Sequence, residues 1–355
     1  MRRVLMAGIQ RTGIAALFMM MTGMLPAQPV AKKTTALFAS DSSISIQLSG
    51  NIKALLKDRG DSSSYHETRL MYNNDTIVIK AKTRGKFRKD ANNCMLPPLL
   101  LNLPKDALDK NSLFYKQNKL KLVLPCKQGN YVAREELVYK AYALVAPIAF
   151  QTRLVTVLLT DKDIPAKLNA PLTGILIEDD EALAKRFSLM PVEEAKLTPI
   201  NVAADSYFSM VLFQYMIGNT DWSVEYEHNI ALVGKPAQRP YVVPFDFDQC
   251  GLVDAPYASP PQELPIQTVH ERLYRGICHP EWPVFVQVVQ RFLQQEKNIR
   301  AVFAESKSVD AAFKKMTSQY LDDFFAQLKQ EKTMAAIFAS NCNAEQRRLI
   351  KDFPH

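Results

Sequence analysis

The chain has 355 residues, 47% of them hydrophobic and 23% charged, with a formal net charge of +8. No Lys/Arg block is interleaved with aromatic residues, which argues against a nucleic-acid binder, while a mild basic balance suits a polyanionic ligand such as a nucleotide. None of the five cysteines, Cys94, Cys126, Cys250, Cys278 and Cys342, forms a CxxC pair, so a zinc site is not expected.

The chain opens with a basic segment, Arg2, Arg3 and Arg11, then the apolar run "TGIAALFMMMTGML", then "LPAQP". The run is short for a bilayer span, and the pattern reads as a secretory signal peptide cleaved after Ala27. The rival is an uncleaved N-terminal anchor. No cysteine lies near the cleavage region, which speaks against a lipoprotein. Losing three arginines takes the formal charge from +8 to +5. Export, to the periplasm or cell surface, makes disulfides possible. The odd cysteine count leaves at least one thiol free, and buried free cysteines are the alternative. No later run is long and apolar enough to span a membrane, so the mature chain is expected to lack a transmembrane segment.

Residues 28–42 read as a mobile leader, and 43–187 as a β-rich N-terminal lobe. "SISIQLSG" alternates like a strand, and "NIKALLKDRG" is a short helix ending at Gly60. "YHETRLMY" and "DTIVIKAKTRG" are strands joined by a turn at Asn73, Asn74 and Asp75. After the basic segment "RGKFRK" come strands "PPLLLNL" and "NKLKLVLPC". The helix "NYVAREELVYKAYALVAP" follows and closes at Pro147. "FQTRLVTVLLT" and "LTGILIE" are strands, and "DDEALAKRF" is a short helix with acidic residues in its first turn. A Pro- and Leu-rich loop leads to a helical C-terminal lobe, 188–355. It holds the long helix "INVAADSYFSMVLFQYMIG", a hairpin "NIALVG"/"RPYVVPF", and the helices "PVFVQVVQRFLQQEK", "DAAFKKMTSQYLDDFFAQLKQ" and "NAEQRRLIKDF".

The chemistry is concentrated in 216–251, "MIGNTDWSVEYEHNIALVGKPAQRPYVVPFDFDQCG". Asp221 follows the C-terminus of an apolar helix, Asn229 begins the first hairpin strand, and Asp246 and Asp248 end the second, on one face. A hairpin returns its far end beside its start, so the four can converge. Such oxygens suit Mg²⁺, which keeps few protein ligands and takes the rest from phosphates and water. Helix, loop Asp, Asn, hairpin and Asp is also the order of the protein-kinase catalytic segment. The Asp–Asn spacing there is five. Here it is eight, with "GNTD" where His-Arg-Asp would stand and "DFDQCG" for Asp-Phe-Gly.

"MIGNTDW…HNI" together with "VPFDFDQCGLVDAPYA" resembles the CotH spore-coat protein kinase family, and more distantly the HipA-like and phosphatidylinositol 4-kinase groups. The resemblance is concentrated in 200–260. Over 80–180 it is weaker but ordered, with "TRGKFRK" similar to the Arg-Gly segment that opens the CotH domain. It is best to an exported branch with the same "GNTDW…PFDFD" signature. It implies a two-lobed α+β atypical kinase fold using ATP and Mg²⁺ on a protein substrate. Asp221 then accepts the proton of the attacking hydroxyl, and Asn229 and Asp246 hold Mg²⁺, with Asp248 a second ligand or neighbour. Lys121 (with Lys119 in reserve) meets phosphate, Glu135 (or Glu136) holds that lysine, and Ile177 and Glu178 lie at the adenine.

Blander readings stand beside these. Asp221 can cap a turn, Lys121 can be a solvated strand residue, and Glu135 can lie on the surface. "RGKFRK" is by default a solvated basic turn, although Arg84 and Arg88 could reach phosphates, and "ERLYRGIC" could bring Arg272 or Arg275 near the site. His228 is expected to hydrogen-bond the loop and Trp222 to pack it. "DFD" alone could be the DxD motif of a glycosyltransferase. The main rival is a non-catalytic, kinase-like binding or scaffold protein of the cell envelope.

Overall fold

The computed structural model describes residues 29–193, 197–277 and 281–338. The expected signal peptide, Cys278, Cys342 and the "NAEQRRLIKDF" helix lie outside the described residues. In chain order come β1 (Ile44–Gly50), α1 (Ile52–Lys57), β2 (His66–Tyr72), β3 (Asp75–Thr83), β4 (Leu99–Asn102), β5 (Lys119–Val123), α2 (Tyr131–Ala143), β6 (Thr152–Thr160) and β7 (Leu172–Glu178). Then follow α3 (Asp180–Arg186), β8 (Met190–Pro191), α4 (Ala204–Ile217), β9 (Ile230–Gly234), β10 (Tyr241–Pro244), α5 (Trp282–Ala304), α6 (Ala311–Lys329) and α7 (Glu331–Phe338). The fold is α+β.

β1, β3 and β6 alternate between buried and more exposed residues over most of their length. A sheet with one apolar face must cover it, and here it does so by closing on itself. The order is β1-β2-β3-β4-β5-β7-β6, and a parallel β1–β6 pairing completes a barrel that the strand pattern did not reveal. Ile46, Leu48, Leu70, Ile79, Leu101, Leu122, Val157 and Leu176 fill it. The β2–β3 hairpin turns at Asn73–Asn74 as expected, with Asn73 in the left-handed region.

The segment expected to be a mobile leader is packed along this barrel. Leu37 is fully buried, Arg153 donates to the carbonyls of Leu37 and Ser42, and Gln151 donates to Thr34. Residues before β1 are thus tied to the start of β6.

A second, larger core gathers α2, the small β10-β9-β8 sheet and the C-terminal helices. Every residue of α4 is buried, including Asp205, Ser206, Ser209 and Gln214, so the helix is enclosed all round rather than striped. It stops at Gly218, which takes the left-handed C-cap conformation. Helix α2 packs on β6 and β7 and on α5, and so joins the two cores. Among the described residues no helix is long and apolar enough to cross a membrane. α7 had no counterpart in the sequence reading. Cys94 and Cys126 form a disulfide, and Cys250 is free and buried.

Candidate functional site

Past Gly218 the chain makes a tight loop held by several hydrogen bonds. Asn219 accepts from the backbone N–H of Asp221 at 2.9 Å, and the Trp222 indole donates to the Asn219 carbonyl at 3.2 Å. Arg275, buried behind the loop, donates to the carbonyls of Thr220 and Trp222. The extra length between Asp221 and Asn229 is folded away. Ser223 and His228 exchange backbone hydrogen bonds at 3.1 and 3.0 Å, leaving residues 224–227 as a protruding turn with Tyr226 exposed at it. An eight-residue spacing thus still returns Asn229 to Asp221. One Asp221 oxygen lies 2.7 Å from His228 Nε2, and the other accepts from the Asn229 amide at 2.8 Å.

The hairpin register does the rest. Pro244 faces Ile230, and the Phe245 N–H donates to the Asn229 carbonyl at 2.9 Å, so Asp246 emerges beside Asn229. Both residues have φ in the left-handed region, 53° and 60°, which Asn and Asp tolerate better than other side chains and which is concentrated at functional sites. The Asp246 backbone N–H is anchored to the Tyr139 hydroxyl of α2 at 2.8 Å.

Arg88 is the residue that the sequence reading undervalued. It was expected in a solvated basic turn, but Arg88 and Lys89 are both buried. The Arg88 guanidinium donates to Asp246 and to both Glu135 oxygens at 3.3 and 3.4 Å, and it pairs with Asp248 at 3.1 Å. Tyr257 donates to the same Asp248 oxygen at 2.8 Å. Burial pushes the Glu135 and Asp248 carboxyls up, Asp248 well above the carboxylate range, with Arg88 pulling the other way. For Arg88 burial opposes the charge, but Asp246, Asp248 and Glu135 outweigh it and hold the guanidinium well above its ordinary value. The sequence signal for Arg88 was its place in "TRGKFRK"; Tyr139, Tyr257 and the loop-bracing role of Arg275 had none.

Lys121 does not pair with Glu135. Its ammonium lies 2.7 Å from Asp180 and over the faces of Phe150 and Phe245, at 4.7 and 4.8 Å from their centroids. Burial pulls its pKa down, and nearby Arg84 adds to this, against Asp180. Because Phe245 adjoins Asp246, Lys121 still borders the carboxylate end of the hairpin. Lys119 pairs with Glu181, and Glu136 with Lys140. Glu178 lies elsewhere, in a two-pronged pair with Arg186 at 2.9 and 2.8 Å. Arg272 donates to the carbonyls of Met216 and Tyr320, away from the carboxylates.

Among the described residues, no group of three or more His, Cys, Asp and Glu side chains is disposed to hold a metal ion. Arg88 occupies the space among Glu135, Asp246 and Asp248. Asp246 is nevertheless 38% exposed, and its second oxygen and the Asn229 side-chain carbonyl take no hydrogen bond among the described residues. Two hard oxygens, with water and phosphate completing the shell, fit Mg²⁺. Asp248, buried between Arg88 and Tyr257, does not present itself as a ligand. A cavity of about 670 Å³ lies beside the Asn73–Asn74 turn, and one of about 420 Å³ is lined in part by Tyr139 and Phe150, which also touch Asp246 and Lys121.

No protein-family model matches the chain, and no curated protein matches it. Among solved structures, the Helicobacter pylori proinflammatory kinase CtkA is similar over 71% of this chain and 94% of its own, at 10% identity and a TM-score of 0.41. At that overlap the likeness carries no argument about what this chain does.

Proposed function

We propose that this chain is an atypical, ATP- and Mg²⁺-dependent kinase acting on protein hydroxyls, exported to the periplasm or cell surface. The observation that carries the reading is the meeting of Asp221, Asn229 and Asp246 at one end of the β9–β10 hairpin, bordered by Lys121. Asp221 is oriented by His228 and Asn229, and from that held position it accepts the proton of a substrate hydroxyl. Asn229 and Asp246 supply the metal's protein oxygens. Lys121, with Arg84 nearby, compensates phosphate charge. When bound, ATP would supply the phosphoryl group, and a Mg²⁺ held by Asn229 and Asp246 would neutralise the charge developing on it. The Cys94–Cys126 disulfide supports export, since such bonds persist in oxidising compartments.

The second reading, a non-catalytic kinase-like binding or scaffold protein, is favoured by one observation. Both Asp221 oxygens are already engaged within the chain. Two measurements separate the readings. A Mg²⁺-dependent rise in melting temperature with ATP, lost in Asp246→Ala, supports the site. Radiolabel transfer from ATP to periplasmic or surface extract, lost in Asp221→Ala, supports the kinase. ATP binding without transfer leaves the scaffold or the transfer of another part of the nucleotide, and no ATP binding ends the kinase reading.

A further inference from the structure

Phosphoryl-transfer sites of the proposed kind use a cation locked onto a helix carboxylate. In this chain that carboxylate, Glu135 of α2, is fully buried, and its partner is Arg88 of the β3–β4 loop rather than Lys121 of β5. The same guanidinium reaches Asp246 and Asp248. The loop that delivers it is fixed on both sides. Phe87 packs on Tyr257, the Lys89 ammonium donates to the Gly60 carbonyl, and Cys94 is bonded to Cys126. Arg88 is therefore delivered by a fixed loop and sits as a built-in cation among three carboxylates.

Without Arg88 that cluster holds three acidic groups and no cation. Coulomb's law then favours a bare metal cation and repels a polyphosphate. With Arg88 in place, the carboxylates are screened from an approaching phosphate, while Asp246 keeps an exposed oxygen. We infer that Arg88, not Lys121, is the specificity-determining cation of this site: it turns a carboxylate cluster that would take a bare metal ion into one that accepts the phosphates of a nucleotide. The inference rests on the kinase-like reading above and assigns within it the role that the sequence pattern gave to Lys121.

The test reads two ligands separately on the full folded chain, Mn²⁺ alone and ATP without metal, by titration calorimetry, with far-UV circular dichroism as the folding check. Arg88→Gln is expected to bind Mn²⁺ about tenfold more tightly and ATP about tenfold more weakly, because one positive charge has left a buried cluster. Opposite signs are diagnostic, since a purely structural role would weaken both. Arg88→Lys, which keeps the charge, is expected to hold Mn²⁺ affinity within about threefold. Lys121→Met is expected to cost less ATP affinity than Arg88→Gln. The inference is overturned if folded Arg88→Gln keeps its ATP affinity, if both ligands weaken together, or if Lys121→Met carries the larger loss. A wild type that binds no ATP fails the kinase reading itself, a result separate from these. Should Arg88→Gln not fold, Glu135→Gln replaces it and runs the signs backwards: Mn²⁺ weaker and ATP tighter, with no movement in either overturning the idea.

Discussion

The side-chain amide of Asn229 donates to the Asp221 carboxylate at 2.8 Å and to the Asp221 carbonyl at 2.9 Å. The residue proposed to hold metal and the residue proposed to take the proton are thus one hydrogen-bonded unit. A change at either should disturb the other, which separates this site from one whose parts act independently.

Asp221→Asn removes the proton acceptor and leaves the loop nearly isosteric. Transfer of radiolabel from ATP is expected to fall by about 10²–10⁴, the usual worth of a general base, with ATP affinity within about threefold of wild type. Retained transfer in this variant would remove Asp221 from the chemistry.

The Cys94–Cys126 bond closes a long loop, with a sequence separation of 32, that includes β4 and β5. Chain-entropy reasoning gives such a cross-link about 3–4 kcal/mol of stability. Cys94→Ser/Cys126→Ser is expected to lower the denaturant midpoint accordingly, and a reductant should do the same to the wild type while leaving the double variant unmoved. A midpoint indifferent to reductant would show that the loop is held without the bond.

Glu136 is buried on α2 with Lys140 3.0 Å away. Burial pushes its carboxyl above the ordinary 4.5, with Lys140 opposing, while the half-buried Lys140 is itself held above its ordinary value. Both shifts are upward, but they favour a neutral Glu136 and a charged Lys140, because the deeper Glu136 bears more of the desolvation. A folded pKa above the unfolded one contributes stability that is complete below pH 4.5 and lost as the pH rises through the folded value. Relative to Glu136→Gln, the wild type should therefore lose stability on going from pH 4 to pH 7. Parallel melting-temperature profiles for the two proteins would refute this.

Gly251 closes the "DFDQCG" turn, and its N–H donates to the Gly218 carbonyl at 3.2 Å. A Cβ there would lie 2.2 Å from the Val269 carbonyl oxygen, so backbone must move. Gly251→Ala is expected to destabilise by about 1–3 kcal/mol, the cost of overpacking, and to pull the Asp246 segment away from α4. An unchanged denaturation midpoint would count against the close approach.

Much of the fold was legible in local pattern. Alternation marked β1, strand-like composition and a turn marked β2, β3 and β6, and apolar residues at core spacing marked α4. These are properties of neighbours along the chain, set by backbone geometry and solvent exposure. Barrel closure was not legible, because the β1–β6 pairing joins segments more than a hundred residues apart and strand composition does not name a partner. The leader's contacts were not legible for the same reason: "AKKTTALF" has a polar composition, and its tie to Arg153 joins segments far apart in the chain.

The candidate site divides along the same line. The sequence by itself determined that Asp221, Asn229 and Asp246 would share one end of a hairpin, since turn and register are short-range and bring i and j together over few residues. Only the tertiary structure decided which cation meets which carboxylate. Lys121 and Arg88 carry the same charge, so spacing cannot choose between them. Burial, the disulfide-pinned loop and the position of α2 deliver Arg88 to Glu135 and leave Lys121 with Asp180.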